Sequence, residues 1–376
     1  TVEASSPALI EKVRSAVTDD QGRFNIANLR PGIYTVTFTL PGFTTFKRDA
    51  IELSAGFTTT ANADMKVGGL EETVTVTGAS PVVDIQNART QQVLRADLLA
   101  SLPSGARDLT QLASLTLGAT VTLPGRNDVG GDKSELSTSI SVHGSRGDDG
   151  RMNYDGLNTN MISGNAGGKM RLYKFNTIGV QETVIDTGGN SAESETGGAN
   201  LNMVPRDGGN KLNLLSILNY TNTNLASGSV SDSLIARGSA ANQNSVKAIW
   251  DYGVGIGGRI VADRLWFYNA NRRWGFQSYA ANNYFNKSTD WRRYEADLSQ
   301  RAYTEFSYFD IGGRLTWQAS AKNKITFAQN WERGCGCWSQ ISGGANTAPE
   351  SSPSYQYGGD GAMVLTQTTW NYPVTN

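Results

Sequence analysis

From Asn210 onward the chain alternates between apolar and polar positions. In AIWDYGVGIGGRI, Trp250, Tyr252, Val254, Ile256 and Ile260 share one side, and Asp251, Gly253, Gly255, Gly257 and Arg259 the other. Successive side chains of a strand point to opposite faces, so this period predicts a two-faced β-strand. FDIGGRLTWQ repeats the pattern, with Phe309, Ile311, Leu315 and Trp317 set against Asp310, Gly312, Arg314 and Gln318. KLNLLSILNY, RLWFYNANRRW and KITFAQNWE are weaker versions. Segments of about ten residues are as long as a tilted strand needs to be to cross a bilayer.

The connectors sharpen this. A long polar stretch, TNTNLASGSVSDSLIARGSAANQNS, separates the first strand (near 211–220) from the second (near 248–260). The next connection is a few residues around Ala262-Asp263, the following one is long again, and the one after is the short ASAKN. Transmembrane antiparallel barrels carry short turns on one side and long loops on the other. A water-soluble sandwich alternates its faces equally well, but nothing requires it to alternate connector length.

The front of the chain has another rhythm. Turns at Asp20-Gln21-Gly22, Pro31-Gly32 and Pro41-Gly42 bracket an alternating strand, Ile33 to Leu40, with Tyr34, Val36 and Phe38 on one face. This predicts a small antiparallel sandwich, with Phe43 and Phe46 in its core. In the middle, RADLLASLPSGARDLTQLASL has helical spacing at Leu94, Leu98 and Leu99 and again at Leu109, Leu112 and Leu115, broken at Pro103-Ser104-Gly105. Gly-rich strands follow. The expected fold is mainly β: a sandwich over 1–70, an α/β domain over 71–209 and an antiparallel barrel wall over 210–376.

Composition agrees and removes alternatives. With 376 residues, 42 Gly, 8 Trp, 14 Tyr and one His, the chain reads as turn-rich and β-rich. A net charge of −1 gives no footprint for nucleic acid. A single His leaves little basis for a Ser-His-Asp or His-metal centre, and no paired carboxylates or nucleophile-base pair stand in a recognisable motif. The expectation is a non-enzyme with no metal and no cofactor. No run of about 18 apolar residues predicts a spanning helix, which leaves spanning strands open. TVEASSPALIEK lacks the basic start and apolar core of a signal peptide, so the natural beginning is expected to lie further upstream.

Two resemblances follow from these motifs. The stretch D-x-x-G-x-F-x-I-x-x-L-x-P-G-x-Y-x-V-x-F-x-x-x-G-F near the start resembles the carboxypeptidase regulatory-like domain, a prealbumin-type, carbohydrate-binding-like fold without peptidase chemistry. SVHGSRGDDGRMNYDGLNTN and FNTIGVQETVIDTGGNSAESETGGANLNMVPRDGGN resemble the plug of TonB-dependent outer-membrane receptors, especially the Oar-like ones that carry such a front domain. Gly179 stands where that family usually has an acidic residue, and LTLGATV replaces its usual Pro-Gly-Val.

The resemblance implies an outer-membrane transporter whose lumen is sealed by the plug and whose front domain is periplasmic. Its partners would be TonB, outer-membrane lipid and a small ligand such as an oligosaccharide, siderophore, corrinoid or peptide. It also implies that barrel strands are missing from this stretch, since the family's barrels have about twenty-two. The rival reading is a secreted or surface-attached glycan-binding β protein with no pore.

Three groups of residues stand out. EETVTVTG, fenced by Gly68-Gly69 and Gly78, resembles the TonB box at Glu72, Thr73, Val74, Thr75 and Val76; otherwise it is the last strand of the sandwich or the first of the plug. Arg146, Asp148, Asp149, Arg151 and Asp155 form a dense charge cluster, read either as a plug–barrel ionic contact or as a solvated turn. Cys335 and Cys337, in RGCGCWSQ, are either bridged to each other in an oxidising compartment or free thiols, since further metal ligands are absent nearby.

Overall fold

The computed structural model describes residues 1–9, 12–27, 29–53, 58–68, 73–77, 90–95, 116–122, 139–146, 149–160, 175–189, 194, 197–226, 230–239, 243–290, 292–320, 323–338, 341, 349–351, 354–357 and 362–372. Three principal sheets organise them. The first contains β1 (Val2–Ser5), β2 (Val13–Ala16), β3 (Gly32–Phe38), β4 (Thr45–Leu53) and β5 (Thr73–Thr77), in the order β2-β1-β3-β4-β5. Its core follows the alternation of β3: Tyr34, Val36 and Phe38 are buried with Val2, Ala4 and Ile51. The opposing layer is irregular chain, from which Phe24, Ile26, Leu29, Ala63 and Met65 pack inward. The Phe38 ring meets Phe24 and Phe46 edge-on, at 5.6 and 6.0 Å between centroids, while Phe43 bridges to Val67. The sheet extends past residue 70 because β5 joins it, parallel to β4.

The middle sheet begins with β6 (Thr90–Arg95). A separate antiparallel pair follows, β7 (Ala119–Thr122) with β8 (Ser139–Val142). Then come β9 (Arg151–Tyr154), β10 (Leu157–Asn158), β11 (Val180–Gly188) and β12 (Asn200–Pro205), giving the order β10-β9-β12-β11-β6. Leu94, Ile140, Met152, Ile185, Leu201 and Met203 form its core. The helical spacing expected at Leu94 is overruled. Thr90–Arg95 pairs along β11, with Leu94 opposite Thr183, because ladder bonds and burial outweigh a weak local helical preference. Residues 96–115, which carry the rest of the expected helices, lie outside the described residues.

The wall is the largest sheet: β13 (Asn213–Asn222), β14 (Ser245–Val261), β15 (Leu265–Asn286), β16 (Ala296–Gln318), β17 (Lys324–Cys337), the short β18 (Tyr355–Tyr357) and β19 (Met363–Asn371). Neighbours in sequence pair antiparallel from β13 to β17, and both β18 and β19 pair with β17. The tight connections expected at Ala262-Asp263 and at 319–323 are present, and the longer ones leave from the opposite end. A short helix, Asp232–Ala236, sits in the first long connection. The alternating pattern does not single out β19, whose MVLTQTTWN spreads apolar residues over both faces.

Register fixes which residues share a face. Val254, Asn271, Ile311, Trp331 and Val364 form one cross-strand row, and Leu265, Trp317, Ile325 and Trp370 another. These rows lie on the exposed face, with Ile311 38% and Trp370 66% exposed. The row next to Ile311, formed by Gly253, Arg272, Asp310, Glu332 and Met363, faces the middle sheet, and Asp310 and Glu332 are fully buried. Exposed apolar rows outside and buried charges inside reverse the pattern of a water-soluble sheet, as lipid on the outer face requires, although β15 turns Trp266, Tyr268, Trp274 and Phe276 inward. Among the described residues no helix is long and apolar enough to cross a membrane.

One substitution separates lipid from water at this face. In the full-length protein, Ile311→Lys should cost about 2–4 kcal/mol in lipid refolding titrations if the position meets hydrocarbon. A cost within about 0.5 kcal/mol would mark an ordinary water-facing position.

Candidate functional site

The middle sheet meets the wall at two places, and both start from local backbone rules. Before β11, Asn176 caps a single 3-10 turn, Thr177–Gly179, its side-chain oxygen accepting from the Ile178 N–H at 3.1 Å. The turn presents Ile178 to the wall as a knob, 1% exposed. It lands on Gly253 and Gly255 of β14, where an added Cβ would collide with the Ile178 side chain. Glycine is needed there for close approach. Ile217, Tyr268 and Ala270 close around the knob.

Polar contacts pin it. The Tyr268 hydroxyl donates to the Ile178 carbonyl at 3.0 Å, and Arg272 Nη1 donates to Thr177 Oγ1 at 3.1 Å. Arg272 is held in turn by a buried two-pronged pair with Asp251, at 2.8 and 3.1 Å.

The second place is built on Asp155. Asp155 and Gly156 connect β9 to β10 with φ values of 51° and 81°, the left-handed pair that a two-residue hairpin turn demands. The turn hands the Asp155 carboxylate to Arg314 of β16, whose Nη1 donates at 2.8 Å, while Arg314 Nε donates to Asp207 at 2.9 Å. Asp207 lies in the connection between β12 and β13. It also accepts from the Thr316 hydroxyl at 2.9 Å and pairs with Arg30 of the front domain. Gln367 of β19 donates to the Asp155 carbonyl.

A chain of alternating charge, Arg30–Asp207–Arg314–Asp155, therefore links all three sheets. Burial opposes ionisation of Asp207, but the Arg30 and Arg314 guanidiniums outweigh it and hold the carboxyl down at about 2. A pocket of about 390 Å³ opens beside the chain, lined by Arg30, Asp155, Asp207, Trp266, Arg314 and Lys324 among others.

At the rim of the short turns the front domain touches the wall again. Lys12 pairs with Asp263 at 3.3 Å, and Asn210 donates to Asp263 while accepting from the Trp266 indole at 2.8 Å. The Asn210 bond, with Lys12 behind it, lowers the Asp263 carboxyl below the ordinary range.

The five charges singled out in the sequence part company. Asp155 reaches the wall, whereas Asp149 and Arg146 lie past the other end of β9, joined by a backbone bond. Arg151 lies in β9, its N–H bonded to the Ala199 carbonyl, and Asp148 is outside the described residues. In the glycine-fenced segment, Glu72 is outside the described residues. Thr73, Val74, Thr75 and Val76 are paired on one side with Thr45, Phe46, Lys47 and Arg48, and Thr75 is exposed. Cys335 and Cys337 are bonded to each other at the long-loop end of β17. Sequence reading passes over Arg30, Asp207, Arg314 and Ile178 as site residues. Arg314 shows only as a polar position of an alternating strand, and Asp207 only as the acid before a Gly-Gly turn.

Residues 1–66 match the carboxypeptidase regulatory-like domain. Over 354 residues the chain is 27% identical to the TonB-dependent transporter Oar of Myxococcus xanthus, covering 88% of this chain and 31% of that protein's length. Solved structures similar to it include a mutant of the Pseudomonas aeruginosa ferric enterobactin receptor PfeA, at 13% identity and TM-score 0.46 over 71% of this chain and 36% of that one. The siderophore receptor PirA of the same organism is similar at 13% identity and TM-score 0.38, over 65% and 35%. The curated relative is a transporter rather than an enzyme, in line with the expectation of no catalysis.

Removing the centre of the charge chain should be costly. Arg314→Met takes the guanidinium from Asp155 and leaves Asp207 with Arg30 alone, and a loss of about 3–5 kcal/mol is expected. Faster hydrogen exchange in β9 and β12 of the full-length protein would report it, with Lys12→Ala leaving those strands unchanged. Acid should act on the same strands. Asp207 supplies its stabilisation fully above its unfolded value of about 4 and loses it as the pH falls through about 2. Protection retained at pH 4 and lost near pH 2 is the expected profile, and loss already complete at pH 4 would contradict it.

Proposed function

We propose that this chain supplies the front domain, the plug and part of the barrel wall of a TonB-dependent outer-membrane transporter. The plug is the middle region, 71–209, and the wall 210–376. The observation that carries the reading is the two-faced wall: apolar outward, and fastened inward to a separate domain by Ile178 and Asp155. Similarity to a TonB-dependent transporter over 88% of the chain supports it.

The mechanism follows from the membrane. A sheet in hydrocarbon must close on itself, because open strand edges leave backbone groups unpaired. A large closed barrel leaks unless its lumen is filled, and the plug fills it. The outer membrane has no ATP to move that plug, so the work arrives mechanically, by strand addition at Glu72, Thr73, Val74, Thr75 and Val76. The position of β5 favours this: it ends its sheet, and among the described residues only β4 pairs with it. A partner strand therefore has an open edge to join. Tension on β5 reaches the plug and loads the Asp155–Arg314 contact, whose release would open a path beside the wall.

The front domain belongs on the periplasmic side, since Lys12 pairs with Asp263 in one of the short turns of the wall. The ligand is one too large for open porins. Capture falls to the long connections and the plug surface beneath them.

Val74→Pro tests the capture step. In the full-length protein it should cut crosslinking to TonB, and TonB-dependent uptake, by at least about tenfold, because proline both removes a ladder donor and resists pairing. Crosslinking at the unmodified level would assign β5 to the sandwich alone.

A further inference from the structure

We infer that the outer face of the wall carries a binding site for the phosphate of an anionic membrane lipid, built around Arg273 and Arg333. Tyr252, Arg273, Phe309 and Arg333 form one cross-strand row, so the two arginines flank Phe309 on the outward face. Both arginines are exposed. Arg272, the preceding residue, points inward and is buried against Asp251, so the inner charge network is served without Arg273. Two strand spacings put the arginine backbones about 9–10 Å apart, a span suited to one headgroup with two phosphates or two headgroups side by side.

Their height on the wall is informative. From the Leu265–Trp317 row to the Arg273–Phe309 row is eight residues, about 26 Å of strand. At a tilt of 35–45° this becomes a height of about 20 Å, most of the roughly 25 Å apolar band of such barrels. Between the two rows the outward positions include Ile311, Leu315, Phe327 and Trp331. The arginines thus stand where hydrocarbon gives way to headgroups, a depth at which the cost of a lipid-facing arginine has largely vanished.

A second tier lies further toward the long connections. Lys247 sits 3.2 Å over the Tyr303 ring and Arg301 4.5 Å over the Tyr279 ring, and the two tyrosines are cross-strand partners. Aromatic faces hold these cations in place, so little freedom remains to be lost on binding. The carboxylate on this face between the tiers, Glu305, accepts bonds from Gln277 and Ser307. The patch is positive, aromatic and continuous with an apolar surface below. That combination fits a phosphate joined to acyl chains: the headgroup meets the arginines while the chains run along Ile311 and Trp331.

The site rests on the reading of this sheet as a membrane wall, and the test separates the two. The full-length protein is purified, offered lipid A (two phosphates) or phosphatidylcholine, and retained lipid is measured by native mass spectrometry. Changing both Arg273→Gln and Arg333→Gln should weaken lipid A retention about thirtyfold, leave phosphatidylcholine unchanged, and be largely rescued by lysine at both positions. Heat-modifiable gel mobility confirms that each variant has folded. Unchanged lipid A retention, an equal loss for both lipids, or displacement of lipid A by inorganic phosphate would overturn the site alone. Wild-type protein that fails to enter lipid at all would overturn the membrane wall, and the site with it.

Discussion

The structure depends on one constraint: the two faces of a single curved sheet must satisfy opposite environments at a spacing of one residue. Along β16, Phe309, Ile311, Leu315 and Trp317 are exposed, while Tyr308, Asp310 and Thr316 between them are buried. Because the side-chain period of a strand is two, a register slip of one residue would send Asp310 and Arg314 outward and leave Trp317 on the inner face. The Ile178 knob and the Asp155–Arg314 pair forbid that slip, since each joins a fixed point of the middle domain to a fixed row of the wall.

Burying so many charges at that junction is tolerable only because they are paired. A lone buried ion costs several kcal/mol, and breaking a pair costs more than never having built it. The Arg30–Asp207–Arg314–Asp155 chain alternates in sign along its length, so each inner member faces opposite charge on two sides. Such an arrangement contributes specificity of assembly more than stability. Because each inner member is held from two sides, no single pair fixes the junction alone.

Much of this was legible in the sequence, and the remainder was hidden for identifiable reasons. Two wall strands, β14 and β16, are legible from clear alternation, and the weaker ones from connector lengths, both local signals. β19 is not, because its threonines and glutamine blur the contrast between faces. The Asp155-Gly156 turn was readable from its residue types, but its partner Arg314 lies 159 positions away and no spacing rule joins them. Leu94 carried a helical pattern that pairing with β11 overrode. The glycines fence the strand off in sequence, but its neighbour, β4, is set by the parallel pairing of Thr45–Asp49 with Thr73–Thr77, which no local pattern encodes.

The most direct test of the two-faced wall is a spin-label scan along β16, residues 306 to 317, in the full-length protein reconstituted into lipid. Oxygen, which concentrates in hydrocarbon, and a water-soluble nickel chelate serve as competing relaxers. The account predicts a period of two, with positions 311 and 315 relaxed by oxygen and not by nickel, positions 309 and 317 at the edges of the band relaxed more by oxygen than by nickel, and positions 308, 310, 314 and 316 shielded from both. Strong nickel access at 311 and 315 would put that face in water and contradict it.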